Sequence, residues 1–100
     1  NGKIVLFGAG HMSCSFLSYF DIDKYISYVI DDHPKKIGKT MPFGRILITD
    51  ASILKNEDIH LCLLSMNPIK HKKVIKEHEY FQKRGGKFIS IFLNNLKIIK

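Results

Sequence analysis

Two compact apolar runs, KIVLF at residues 3–7 and IHLCLLS at 59–65, stand out from a chain in which apolar and polar positions otherwise interleave. Neither run alternates with period two, and each ends on a breaker, Gly8 in one case and Asn67-Pro68 just beyond the other. Both therefore read as strands buried on two faces, the pattern of a parallel sheet. Between them, Met12, Phe16, Leu17 and Phe20 recur at spacings of three and four, which predicts one face of a helix over 11–20. YISYVI at 25–30, rich in β-branched and aromatic residues, predicts a second strand ending at Asp31-Asp32. His33-Pro34 stops it, because proline cannot donate to a ladder. KKIGKTMPFG, punctuated by Gly38, Pro42 and Gly44, reads as a loop, RILI at 45–48 as a short third strand, and Thr49 or Asp50 as the cap of a brief helix through Leu54. Asn67-Pro68 opens a second helix running to about Lys83, with Val74, Ile75, His78 and Phe81 inward and Lys70, Lys72, Lys73 and Lys76 outward. Arg84 and Gly85 suit its end, and KFISIF at 87–92 is the last strand.

Strands that alternate with helical or loop crossovers imply right-handed connections and a parallel sheet covered by helices. The expected fold is a small Rossmann-like α/β domain of three layers, with about five mostly parallel strands in the order 3-2-1-4-5. A chain of 100 residues holds one such core, so residues 1–100 are read as a single domain. The absence of an initiator methionine, and a strand starting near residue 1, lead us to expect a piece of a longer protein.

Charge narrows the ligand more than the fold. Sixteen Lys and Arg against nine Asp and Glu give a net charge of +7, which favours an anionic guest. The basic residues are scattered through HPKKIGK, IKHKK and KRGGK without the interleaved aromatics of a single-strand binder. The expectation is a solvated basic surface with one phosphate site, and no nucleic-acid partner. No apolar run approaches a membrane span and NGKIVLFG is unlike a secretory signal, so the chain is expected to be cytoplasmic with no membrane partner. Cys14 and Cys62 lack CxxC spacing, and histidines 11, 33, 60, 71 and 78 form neither HxH nor HExxH, so reduced thiols and no metal are expected.

The candidate chemistry centres on FGAGHMSCSF at 7–16, which has the first two glycines of a dinucleotide-binding turn and Ser13 where the third would stand. Gly8 and Gly10 allow a tight turn and a close approach. The amides of His11, Met12 and Ser13, followed by Cys14 and Ser15, would hold a phosphate against the helix dipole. Asp31 stands 21 positions after Gly10, where a Rossmann acid accepts from a ribose diol. It equally suits a turn that holds loop amides, and the two roles are compatible. Asp32 is assigned to solvent. Lys36, flanked by Lys35 and Lys39, can supply a point charge to phosphate, and Asn67 can present an amide to the ligand or cap the helix that follows. Cys14 near a helix start favours a thiolate, but no base is placed beside it. No acid, base and nucleophile set can be assembled, so no catalytic residue is assigned.

Three ordered blocks carry a more specific resemblance: FGAGHMSCSFLSYFDIDKYISYVIDDHPKKIGKTMP, IHLCLLSMNP and RGGKFISIF. Over about residues 4–92 the chain resembles the C-terminal domain of sugar and related C-methyltransferases, multidomain enzymes that use S-adenosylmethionine. The resemblance implies a Rossmann-like domain that helps hold a nucleotide-linked sugar. A zinc-binding region, an S-adenosylmethionine domain and the main acid-base residues would then lie elsewhere in the full-length protein. No cofactor is expected in this domain itself, and its partners would be the nucleotide sugar and the rest of the methyltransferase. The turn from Gly8 to Ser15, Asp31 with Pro34, Lys36 and Gly38, and Asn67 fall on matching positions. The chain departs at Met12, Ser13 and Cys14, where sugar-nucleotide members often carry lysine, glycine and asparagine, and at Phe43, where they carry glycine. Without that lysine the substrate differs from the usual deoxysugar nucleotide, or backbone amides and loop lysines hold its phosphates.

KIVLFGAG with VIDDHPKKIGKT is also similar to the N-terminal Rossmann domain of sugar-nucleotide acetyltransferases of the left-handed β-helix type. The segment from LCLLSMNP to RGGKFISIF suits the methyltransferase better. A nicotinamide-binding module is the other alternative: Gly8, Gly10 and Asp31 favour it, whereas Ser13 and the short chain oppose it.

Overall fold

The computed structural model describes residues 2–42, 44–91 and 98–99, with backbone alone for His11, Met12, Ile98 and Ile99. Strand β1 (Lys3–Phe7) leads through the glycine turn into helix α1 (His11–Phe20), and a 3-10 turn at Asp23–Tyr25 delivers the chain to β2 (Ile26–Ile30). After the basic loop come β3 (Ile48–Thr49), a 3-10 helix over Ala51–Lys55 and β4 (Ile59–Leu64). A 3-10 turn at Pro68–Lys70 then opens α2 (His71–Glu77) and α3 (Glu79–Lys83), followed by β5 (Lys87–Ser90) and β6 (Ile98–Ile99). The sheet order is β3-β2-β1-β4-β5-β6, parallel except for the β5–β6 pair. The expected parallel order 3-2-1-4-5 is thus present, with an antiparallel edge strand added.

The sheet is sandwiched because its central strands are apolar on both faces. Val5 and Phe7 of β1, with Cys62 and Leu64 of β4, pack with Leu54, Phe81 and Phe88 on one side. On the other side Leu6 and Leu63 pack with Leu17 of α1 and with Met41, Ile46 and Ile48. Phe81 is fully buried, its ring 5.1 Å from Phe88 and beneath the Arg84 guanidinium. Phe20, expected on the inner face of α1, is half exposed and stacks on Phe16 and Tyr19 instead.

Three boundaries differ from the sequence-based expectations for identifiable reasons. The third strand lies at Ile48–Thr49 rather than over RILI, because residues 39–48 first pair with themselves. Met41 donates to the Ile46 carbonyl at 2.8 Å, Ile48 to Lys39 at 2.8 Å, and Arg45 turns the chain at φ 53°. The helix expected through Lys83 breaks at His78, which has φ −124° and ψ 37° and separates α2 from α3. Its half-buried ring packs 5.7 Å from Phe7, and burial holds it below the ordinary histidine range against the opposing pull of Glu77 and Asp32. The last strand ends at Ser90, and Phe92 lies outside the described residues.

Candidate functional site

In a parallel sheet of this order the crevice forms at the carboxyl ends of the central strands, where neighbouring connections leave in opposite directions. The ladder continues past the strand ends: Gly8 N–H donates to Ile30 O at 2.7 Å, Ser65 N–H to Phe7 O at 3.0 Å and Asp31 N–H to Thr49 O at 3.0 Å. These bonds hold the three loops side by side. The result is a cleft of about 290 Å³ lined by Gly8, Ala9, Gly10, Ser13, Asp31, Lys36, Ser65, Met66 and Asn67. Beside it lies a second hollow of about 260 Å³, which shares Gly8, Asp31 and Met66 and adds Phe7, Asp32, Lys70 and Val74.

The two glycines of the turn do different jobs. Gly8 has φ +114°, and a Cβ there would lie 2.7 Å from Ser65 Oγ, so the fold itself requires glycine. Gly10 is extended, at φ −105° and ψ −170°, and a Cβ there would meet no atom within 4 Å. The described packing does not require glycine there. Gly10 is also the N-cap of α1 and has no side chain to cap it, so the first amides of the helix are left without a capping side chain.

Ser13, at the third-glycine position, is 1% exposed. Its hydroxyl donates to Gly8 O and contacts Ser65 Oγ, which in turn donates to Phe7 O at 2.7 Å and lies 3.0 Å from Gly8 O. A serine that clasps the turn thus takes the place where glycine would permit close packing of helix on strand. Ser13→Ala should cost about 1 kcal/mol in a denaturant titration, because the Ser65 hydroxyl can turn its proton to Gly8 O while Phe7 O keeps the Ser65 N–H.

Asp31 is committed on both oxygens: Ala9 N–H donates to Oδ2 at 2.9 Å and His33 N–H to Oδ1 at 2.8 Å. It ties the glycine turn to the loop after β2, the turn-holding role expected of it, while still lining the cleft. Lys36 completes the link, its Nζ donating to Ala9 O at 3.1 Å and lying 3.9 Å from Asp31 Oδ2. Its side chain is 42% exposed, so the ammonium keeps access to the cleft. Asn67 accepts from Ile69 N–H at 3.0 Å, which makes its oxygen the cap of the following turn while the residue stays at the cleft edge.

The remaining sequence candidates are placed less centrally. Cys14 is half-buried on α1, its amide donating to Gly10 O at 3.3 Å, and Ser15 is exposed on the same helix. The side chains of His11 and Met12, and all of Phe43, lie outside the described residues. Cys62 is fully buried and burial pushes its thiol pKa upward, away from reactivity. Ala9, Ser65 and Met66 fall in the loops expected at the ends of the first and fourth strands but, like Lys70, carried no site role of their own in the sequence. Ser65 had one signal, the polar residue that closes an apolar run, whereas Lys70 reads as one more outward lysine. Among the described residues no cluster of His, Cys, Asp or Glu could hold a metal, and no helix is long and apolar enough to cross a membrane.

Comparison with known proteins gives this arrangement a context. Residues 1–92 match the family model of the C-methyltransferase C-terminal domain. The structure of UDP-D-quinovosamine 4-dehydrogenase from Vibrio fischeri is similar with a TM-score of 0.72 at 23% identity, over 100% of this chain and 94% of that one. The structure of RSP, a Rex-family repressor, is similar with a TM-score of 0.68 at 16% identity, over 100% of this chain and 49% of that one. At these identities the two likenesses carry the fold alone. No curated protein matches the chain.

Proposed function

The chain belongs to the C-methyltransferase C-terminal domain family, and from that premise we propose that it is a substrate-holding domain that binds a nucleotide-linked sugar in the three-loop cleft. One observation carries the reading. Gly8, Gly10 and the start of α1 meet the Lys36 ammonium around one cleft, an arrangement suited to a phosphate. The domain contributes binding and orientation. Methyl transfer from S-adenosylmethionine is assigned to other parts of a longer methyltransferase: among the described residues of the cleft, Asp31 is committed to two backbone amides and no base stands beside a nucleophile.

Lys36 takes over the charge of the lysine that sugar-nucleotide members carry at the position of Met12. It approaches from the loop after β2 instead of from α1, and its bond to Ala9 O parks the ammonium at the mouth of the turn. UDP-glucose is a suitable probe: calorimetry should show saturable binding, with amide shifts concentrated at Gly8–Ser13. No heat and no shift at millimolar ligand would sink the reading. Lys36→Met should weaken binding about tenfold, the worth of one charge-assisted phosphate contact, and leave stability within about 1 kcal/mol because the Lys36–Asp31 pair is long at 3.9 Å and Asp31 keeps its two backbone donors.

A further inference from the structure

The loop after β4 is pinned at three consecutive residues, and one of the pins has no part in the phosphate reading. The Ser65 hydroxyl donates to Phe7 O and sits against Gly8 O, and Asn67 Oδ1 accepts from Ile69 N–H. Between them, Met66 O lies 3.0 Å from Nε2 of His71, the first residue of α2. A carbonyl only accepts, so Nε2 carries the hydrogen of this bond. Although Lys70 and Lys72 flank it and are exposed, His71 is buried, with 7% of its surface accessible. A buried polar side chain spent on one loop carbonyl calls for a reason.

The bond fixes more than the carbonyl. A trans peptide unit is planar with its C=O and N–H on opposite sides, and no described peptide bond is cis. With Met66 O drawn to the buried His71, the N–H of the same unit, that of Asn67, is turned away from the histidine, and Asn67 lines the cleft. Both Asn67 oxygens are committed, Oδ1 to Ile69 N–H at 3.0 Å and O to Lys70 N–H at 2.9 Å. Its N–H donates to no group among the described residues. We propose that the Asn67 N–H is a hydrogen-bond donor to the ligand and that His71 is the positioning residue that aims it; the inference rests on the nucleotide-sugar reading. Lys36 reaches the glycine turn from the β2 side of β1, whereas Asn67 stands on the β4 side. With the phosphates at Lys36 and the start of α1, the acceptor left for this neutral donor is an oxygen of the attached sugar.

Inorganic pyrophosphate and UDP-glucose, followed through backbone amide shifts and calorimetry, test the two parts separately. Pyrophosphate should move the amides of Gly8–Ser13 and leave Asn67 in place; UDP-glucose should move both. Asn67 has φ −50°, within the range of proline, so Asn67→Pro deletes the N–H without forcing the backbone. It should bind UDP-glucose about fivefold more weakly than Asn67→Ala, which loses the same cap but keeps the donor, the ratio being the worth of one neutral hydrogen bond. His71→Leu should weaken UDP-glucose binding by a similar factor and abolish the Asn67 shift. Its pyrophosphate response should persist, which also shows that the variant is folded. His71→Gln, whose side-chain amide can donate to the same carbonyl, should restore both affinity and shift. If His71→Leu does not fold, the two variants at Asn67 and the shift in the unaltered chain still decide. An unmoved Asn67 amide, equal binding by Asn67→Pro and Asn67→Ala, or a folded His71→Gln as weak as His71→Leu would overturn the inference and leave the phosphate site standing. If neither ligand moves any amide, the nucleotide-sugar reading fails and this inference fails with it.

Discussion

Gly8→Ala should cost about 3 kcal/mol or more of folding stability, seen as a lowered denaturation midpoint with an unchanged m-value. Two independent penalties add. At φ +114° an L side chain occupies a region that is nearly glycine-only, a strain of about 1–3 kcal/mol. The new methyl also arrives 2.7 Å from Ser65 Oγ, and forced overpacking adds roughly another 1–3 kcal/mol. Ser65 cannot swing aside cheaply, because its hydroxyl is held by Phe7 O, Gly8 O and Ser13. Against a total stability of about 5–15 kcal/mol the loss is large. It corresponds to a melting temperature lower by at least about 12 °C in a domain of this size. Adding Ser65→Ala to Gly8→Ala should return part of the loss, since it removes the clash and leaves the φ strain, so the pair should couple by about 1 kcal/mol. A loss below 1 kcal/mol for Gly8→Ala alone would show that the turn is not built as described.

The same residues show what the sequence could and could not disclose. Periodicity and run length located β1, α1 and β4 closely, since each is a long, uniform signal set by burial on known faces. β6 is two residues long, below any period, and β3 was displaced by a self-pairing loop whose bonds join residues five to ten apart. The break at His78 reflects packing on Phe7, 71 positions away, which local pattern cannot register. In the cleft, the motif pointed to part of the lining, and the structure shows what those residues are bonded to. Ser13 looked like a defect in a dinucleotide fingerprint, and it is the clasp that fixes the turn. Asp31 was legible as an acid at ribose spacing, but its two backbone bonds appear only when the loops after β1 and β2 lie side by side. Asp32 and Lys70 carry no motif at all, and only the meeting of the β2 loop with the turn before α2 brings them to one hollow.

Gly10→Val is the converse of the first substitution, and separates a working cleft from one that is merely structural. Valine accepts φ −105° and ψ −170° without strain, and its Cβ would meet no protein atom within 4 Å. Stability should therefore stay within about 1 kcal/mol: the gain from a less flexible unfolded chain offsets a poorer residue at the N-cap. Binding has no such tolerance. The branched side chain would occupy the mouth of the cleft that Gly10 lines beside the start of α1 and would compete with a phosphate for that space. Affinity for UDP-glucose should fall more than a hundredfold, about 2.7 kcal/mol, with the loss shared by pyrophosphate because both ligands need the same amides. Calorimetry on the variant, with its melting curve as the control for folding, gives the answer. If Gly10→Val binds UDP-glucose within threefold of the unaltered chain, the phosphate does not sit on this helix, and the second glycine of the turn is left with no role that either the fold or the ligand requires.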